Sequence, residues 1–191
     1  MKHKIRLLIL LLAWPFCQVN NAKAQTIVQK FEGEARLGIT VPLGNFHDFT
    51  SPQVGASLGL EARYNFKGTP WDCGVLLELS TARWGYNELI NDGHDHWQSN
   101  RTLAFAAVTD YNFRQGKKIN PFVGTGLGIA SLDVVGDEYY PSSGISLFIA
   151  PRVGIELLRH IRLTTQFNIS KKGAHNFEVT LGFVIGGRPK K

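Results

Sequence analysis

Cysteine is scarce: two residues among 191, and the first, Cys17, falls inside an amino-terminal segment laid out like an export signal. Only Cys73 lies beyond it, which excludes an intramolecular disulfide, although an oxidising compartment permits one, and any Cys-based metal centre. Long apolar runs are missing too. A membrane-spanning helix needs roughly 20 apolar residues, and the run from Leu7 to Trp14 is far shorter. Any membrane residence must therefore be through strands. Surplus positive charge is also lacking: the formal +6 falls to +2 once Lys2, Lys4, Arg6 and Lys23 leave with residues 1–24. Without a basic patch there is no case for nucleic acid as a partner.

What is present begins with that signal. Lys2, Lys4 and Arg6 precede the apolar run, and Ala22-Lys23-Ala24 precedes Gln25, the charged, apolar, small-residue order of a cleavable secretory peptide. Trp14-Pro15-Phe16 ahead of Cys17 does not resemble a lipoprotein's small-residue box. The expected organisation is a signal over 1–24, a lead-in over 25–33, one β-domain over 34–187 and a basic tail over 188–191. That length suits a single domain.

Read in steps of two, the remainder is a series of eight alternating segments with turn residues between them and no helical period. Glu34–Leu43 sets Ala35, Leu37, Ile39 and Val41 against Glu34, Arg36, Gly38 and Thr40. Val54–Phe66, Trp71–Arg83, Arg101–Phe113, Phe122–Leu132, Ile145–Leu157, Ile161–Ile169 and Phe177–Ile185 repeat the rule, with Leu76 and Phe148 as apolar exceptions on the polar face. A soluble sandwich turns its apolar face inward, whereas a membrane barrel turns it outward, so alternation alone does not choose.

Three features favour the membrane. Many segments reach the roughly 9–11 residues that a tilted spanning strand needs, against about 5–6 in globular sheets. Connections after odd-numbered segments (44–53, 84–100, 133–144) are long, the last (170–176) being shorter, while those at Lys67–Pro70 and Arg159–His160 are short and Arg114–Asn120 is intermediate, an order that follows long outer loops and short periplasmic turns. Aromatics gather near segment ends, with Tyr64, Phe66, Trp71, Tyr111, Phe113 and Phe122 at one end and Trp84, Tyr86 and Phe177 at the other. Such residues form interfacial girdles. The expected fold is thus an all-β, eight-stranded antiparallel up-and-down transmembrane barrel.

The runs Pro121-Phe122-Val123-Gly124-Thr125-Gly126-Leu127-Gly128, Pro151-Arg152-Val153-Gly154-Ile155-Glu156-Leu157 and Arg162-Leu163-Thr164-Thr165-Gln166-Phe167-Asn168 resemble the small outer-membrane barrel family of the outer-membrane protein A type, porin-like in the loose sense. The resemblance spans nearly all of the chain after the signal. It implies outer-membrane localisation, outer-membrane lipid as solvent, barrel-assembly machinery and periplasmic chaperones as transient partners, and no cofactor. It does not fix an activity, because fold does not determine function. Such barrels commonly end on an aromatic residue that the machinery reads, whereas here Phe183 is followed by eight residues ending Arg188-Pro189-Lys190-Lys191. A peptidoglycan-binding second domain is not expected.

The inward face is expected to carry Glu34, Arg36, Glu61, Arg63, Glu78, Asp110, Arg152, Glu156, Arg162 and Glu178. Buried charges persist only when paired, so these predict an interior ion-pair network filling an eight-stranded lumen rather than a wide pore, which needs about 16 strands. His94 and His96, with His47, Asp48 and His175, form a weak candidate divalent-metal set. Ser99, Ser142 and Ser143 beside His94, Asp95 and His96 suggest a lipid-modifying or hydrolytic enzyme as an alternative, but no Gly-x-Ser-x-Gly elbow occurs. Trp97, Tyr139 and Tyr140 suit either surface recognition or a headgroup girdle. A non-enzymatic barrel with a structural or surface-interacting role is the leading expectation. A soluble periplasmic barrel binding an apolar ligand is the other alternative, and it requires the aliphatic face to line a cavity.

Overall fold

The computed structural model describes residues 28–43, 50–86, 97–136, 144–170 and 175–186. The expected signal over 1–24 and the expected tail over 188–191 lie outside them. Among the described residues there are nine strands: β1 (Phe31–Pro42), β2 (Thr50–Gln53), β3 (Gly55–Asn65), β4 (Trp71–Tyr86), β5 (Trp97–Asn112), β6 (Ile119–Gly136), β7 (Gly144–Leu157), β8 (Ile161–Asn168) and β9 (Asn176–Gly186). They make eight staves, because β2 and β3 both pair with β4 and are separated by Val54 alone. Gln53 pairs with Arg83 and Ser57 with Ser80, so this stave carries one residue more than its partner over the interval. That is a β-bulge. At its corner a Cβ on Gly55 would lie 1.9 Å from the Thr81 carbonyl oxygen, so only glycine permits the approach.

Every neighbour in the order β3-β1-β9-β8-β7-β6-β5-β4 is antiparallel, and the β4–β3 pairing closes the ring. Cross-strand partners run from Phe31 through Tyr64, Cys73, Thr109, Thr125 and Pro151, then Phe167 and Phe177, and return to β1 at Val41. The ring therefore closes with a stagger of ten residues. With strands about 4.8 Å apart and a rise of about 3.3 Å per residue, this sets a tilt of about 40° and a backbone radius of about 8 Å. Pro151 leaves a mark on the ladder. Ile149 and Ile169 exchange both backbone hydrogen bonds, so two residues on Pro151 stands at a bonding position with no N–H to give, and the continuous β7–β8 pairing starts only at Arg152.

Several strands outrun their expected ends. The fourth segment begins at Trp97 rather than Arg101, the fifth runs from Ile119 to Gly136, and the first opens at Phe31, inside the expected lead-in. Each extension follows a paired neighbour, since β4, β5 and β6 support one another along their length.

The β7–β8 hairpin turns through Leu158 and Arg159, both in the left-handed region (φ 54° and 65°), with the His160 N–H donating to the Leu157 carbonyl at 3.1 Å. Two consecutive positive φ angles define the turn that Asn-Gly serves best, so leucine is strained here. The Leu158 N–H donates to the Lys118 carbonyl (2.6 Å) and Arg159 Nε to the Gly116 carbonyl (3.0 Å), holding the turn against its neighbour. Leu158 is exposed and its side chain contributes little packing. Leu158→Asn is therefore expected to stabilise the barrel by about 1 kcal/mol, checked by the urea midpoint of the refolded protein; an unchanged or lower midpoint would contradict the strain assigned to this turn.

Candidate functional site

Burial along the strands is inverted relative to a soluble protein. Leu37, Leu60, Leu77, Phe105, Leu127 and Phe183 stand outward and exposed, while Arg36, Arg63, Asp110 and Glu178 are buried inside. An apolar exterior continuous around the staves is far larger than the few hundred Å² usual on soluble monomers, and hydrocarbon is the solvent that suits it. The aliphatic face does not line a cavity, which removes the geometry that a soluble apolar-ligand barrel requires.

All ten charged residues expected inward are buried, and Glu32 and Asp72 join them. Glu32 was concealed by placing the first strand's start at Glu34; Asp72 lies on the polar face of the third segment but outside the expected charge set. The network centres on Arg152 of β7. Its Nη1 and Nη2 donate to Glu61 Oε2 and Oε1 at 2.6 and 2.9 Å, and its Nε and Nη2 donate to Asp110 Oδ1 and Oδ2, both at 2.8 Å. Because β7 and β3 are four staves apart in an eight-stave ring, the Arg152–Glu61 pair spans the lumen's full width. Paired forks of this kind combine charge with fixed direction.

Three more arginines brace this centre. Arg63 donates through Nη1 to Glu34 (2.8 Å) and Glu61 (3.0 Å), and through Nη2 to Glu32 (3.2 Å). Arg162 pairs with Asp110, with Glu34 at 3.6 Å and, more loosely, with Glu156 at 3.9 Å. Its guanidinium also lies 3.5 Å from the centroid of the Phe122 ring, a cation–π contact. Arg36 pairs with Glu78, and with Glu61 at 3.5 Å. Phe122 was expected in an aromatic girdle; it is instead fully buried, because its even position shares the face of Gly124 and its ring fills the space over Gly154, where a Cβ would come within 2.5 Å.

Toward the tight-turn end, amides continue the network. Asn112 donates to Asp72 (2.7 Å), Asn120 to Asn112 (2.9 Å), Gln115 of the β5–β6 turn to Asn65 (2.8 Å), and Asn65 to Glu32 (2.7 Å). The same end carries a ring of edge-on aromatics: Phe31–Tyr64, Tyr64–Phe66, Trp71–Tyr111 and Tyr111–Phe113, with centroids 5.1–5.5 Å apart. The two apolar exceptions also find their place. Leu76 and Phe148 are buried inside with Ala104, Ala106, Val108, Ala130 and Ala150, forming an apolar sector against one wall.

The loop candidates fare differently. His47, Asp48, His94, Asp95, His96, Tyr139, Tyr140, Ser142 and Ser143 lie outside the described residues, as does the side chain of Trp97, whose backbone opens β5. Ser99 belongs to β5 rather than to a loop, and it is buried. His175 Nδ1 accepts the Ser170 N–H at 3.2 Å. Among the described residues no group of three or more His, Cys, Asp and Glu side chains is arranged to hold a metal ion.

The closed ring and its inverted faces define an eight-stave up-and-down barrel. No family model matches the chain, and no curated protein matches it. Among solved structures it is similar to the outer membrane protein OprG from Pseudomonas aeruginosa, at 13% identity with a TM-score of 0.50, over 86% of this chain and 97% of that one. It is also similar to Ail, the attachment invasion locus protein of Yersinia pestis, solved with the heparin analogue sucrose octasulfate (15% identity, TM-score 0.43, 82% of this chain and 97% of that one). A third is Neisserial surface protein A (14% identity, TM-score 0.43, 81% and 96%). The likeness to OprG is one of fold.

Removing one partner of a buried ion pair strands the other's charge. Arg152→Met is expected to cost about 3–5 kcal/mol, read from urea unfolding in detergent. Glu61→Gln and Asp110→Asn added to it should recover part of that loss; a triple variant less stable than the single one would contradict a charge-based origin.

Proposed function

We propose that the protein resides in a Gram-negative outer membrane as a non-enzymatic barrel whose lumen is filled, a scaffold rather than a pore. The observation that supports this best is the Arg152 bridge across the full width of the lumen, within an exterior that is apolar on every stave. A water-filled path would have to break paired charges whose separation in a narrow, low-dielectric interior costs several kcal/mol. Gln115 and the turn amides add a second obstruction at the tight-turn end. That end faces the periplasm in this reading, its aromatic ring lies at the headgroups, and the long connections face outward.

Specific contacts with the surroundings then belong to the outward connections, where rigid staves present variable segments. Lipid is the constant partner, and insertion depends on the assembly machinery and chaperones that serve such barrels.

Two measurements test this reading. The protein is expected in the outer-membrane fraction with a heat-modifiable gel mobility, and recovery in the soluble periplasm would refute it. In planar bilayers it is expected to give no steady conductance, and a stable open channel would refute the filled lumen. A substitution separates the membrane from the soluble case as well. Leu127→Arg, on the outward face of β6, is expected to cost about 2–4 kcal/mol in lipid vesicles; on a water-exposed surface it would be close to neutral.

A further inference from the structure

The described interior holds eight carboxylates but four guanidiniums, and the imbalance is not evenly spread. Glu34, Glu61 and Asp110 each face at least two arginines. Glu178 of β9 is fully buried and pairs with none, and its neighbour Glu78 has only Arg36, which Glu61 shares.

Both carboxylates converge on the same two amide nitrogens. Gln166 Nε2 lies 2.9 Å from Glu78 Oε2, 3.3 Å from Glu178 Oε2 and 2.9 Å from Asn168 Oδ1. Asn168 Nδ2 lies 2.8 Å from Glu178 Oε2, 3.1 Å from Glu78 Oε1 and 3.0 Å from Asn176 Oδ1. Two amide groups supply four hydrogens, yet six oxygen contacts compete for them. The cluster has more acceptors than hydrogens and one negative charge more than it can pair.

Glu178 Oε1 and the Ser57 and Thr180 hydroxyls are buried there with no hydrogen bond of good geometry. Gly38 pairs with both Thr180 and Ser57. A Cβ on Gly38 would stand 2.5 Å from Thr180 Cγ2 and 2.7 Å from Ser57 Oγ, so both side chains lean over the same bare patch of wall. Ser57 faces the Glu178 carboxylate, and Thr180 is the next inward residue on the same strand. An unpaired buried oxygen is costly, and two under-bonded hydroxyls beside an uncompensated carboxylate suit a positive centre.

We propose that Glu78 and Glu178 hold one monovalent cation, sodium or potassium, with Ser57 and Thr180 hydroxyls and the neighbouring amide oxygens completing an all-oxygen shell. Hard cations take such ligands. The charge decides the valence: two carboxylates and one guanidinium leave a single negative charge. The ion would sit in the outward part of the lumen, two residues inside the point where Pro42 pairs with Asn176, and it would tie β9 to β3 and β4.

The test is thermal unfolding of the purified barrel in a nonionic detergent, followed by circular dichroism with choline chloride holding ionic strength constant. Exchanging choline for potassium or sodium is expected to raise the midpoint by about 3–5 °C per tenfold increase in cation above its dissociation constant. Glu178→Gln keeps the shape, removes the charge and is expected to abolish that dependence. Ser57→Ala should retain it with affinity weakened several-fold, and it decides the matter should Glu178→Gln not fold. A wild-type midpoint indifferent to both ions but dependent on pH would assign a shared proton to the carboxylate pair and overturn the cation site. Cation dependence that survives Glu178→Gln would overturn it too.

Discussion

The bridge from Arg152 to Glu61 and Asp110 is the contact on which the rest of the interior depends. A ring of eight staves with a ten-residue stagger leaves a lumen that one pair of long side chains can span, and Arg152 meets Glu61 from the far wall while also gripping Asp110 through fixed forks. Remove it and Glu61 keeps Arg63 and Arg36, but Asp110 keeps only Arg162. The remaining arginines would have to redistribute among carboxylates already held on different staves. The apolar exterior is matched to lipid and gains nothing by turning inward. The charged part of the interior is therefore held by polar contacts, whose geometry is more exacting than that of an oily core.

The interior is nonetheless not uniform. Its charged part is carried mainly by β1, β3, β8 and β9 together with Arg152 and Asp110. On β4 to β7, by contrast, Leu76 and Phe148 lie against alanines, and a Cβ on Gly126 would meet Ala106, Val108 and Ala150 within 4 Å. Large and small side chains alternate across facing staves so that each fills the space its opposite leaves. Gly128 shows how close the fit is: a Cβ there would come within 2.0 Å of the Phe105 carbonyl oxygen. Phe122 joins the two sectors, with its ring over Gly154 and under the Arg162 guanidinium.

Much of this was legible in the sequence because period-two alternation is a strong signal when one face meets lipid. A slip of one residue would turn every leucine inward, so the ten charged positions read as inward from parity all lie inside. What escaped notice depended on partners rather than on local pattern. Glu32 sits beyond Gly33, where alternation fades, yet β1 continues because Tyr64 and Arg63 are there to pair with it. The first residues of β5 read as loop but run along β4 and β6. Phe122 misled by residue type, since an aromatic near a strand end suggests a girdle while its parity places it inside. The bulge at Val54 and the interrupted ladder at Pro151 come from single residues whose effect shows only against a neighbouring strand. The candidate metal and catalytic side chains of the outward connections had no such periodic frame, and residue type alone does not fix their geometry.

Strand length adds an asymmetry that bears on function. At a tilt of about 40° each residue advances roughly 2.5 Å along the barrel axis, so about ten residues cross the roughly 25 Å apolar band of such a barrel. β8, with 8 residues, falls slightly short of that, whereas β4, β5 and β6, with 16, 16 and 18, exceed it. The tight turns hold these strands level at one end, so the excess projects at the other. There β2 covers the edge of β4 by pairing with Arg83–Tyr86, which blunts an edge that would otherwise invite another chain. The outward end is thus a wall raised on one side rather than a level rim. Connections leaving β4 and β6 start well above those leaving β1 and β8, and in the orientation proposed above that raised side stands farthest from the membrane.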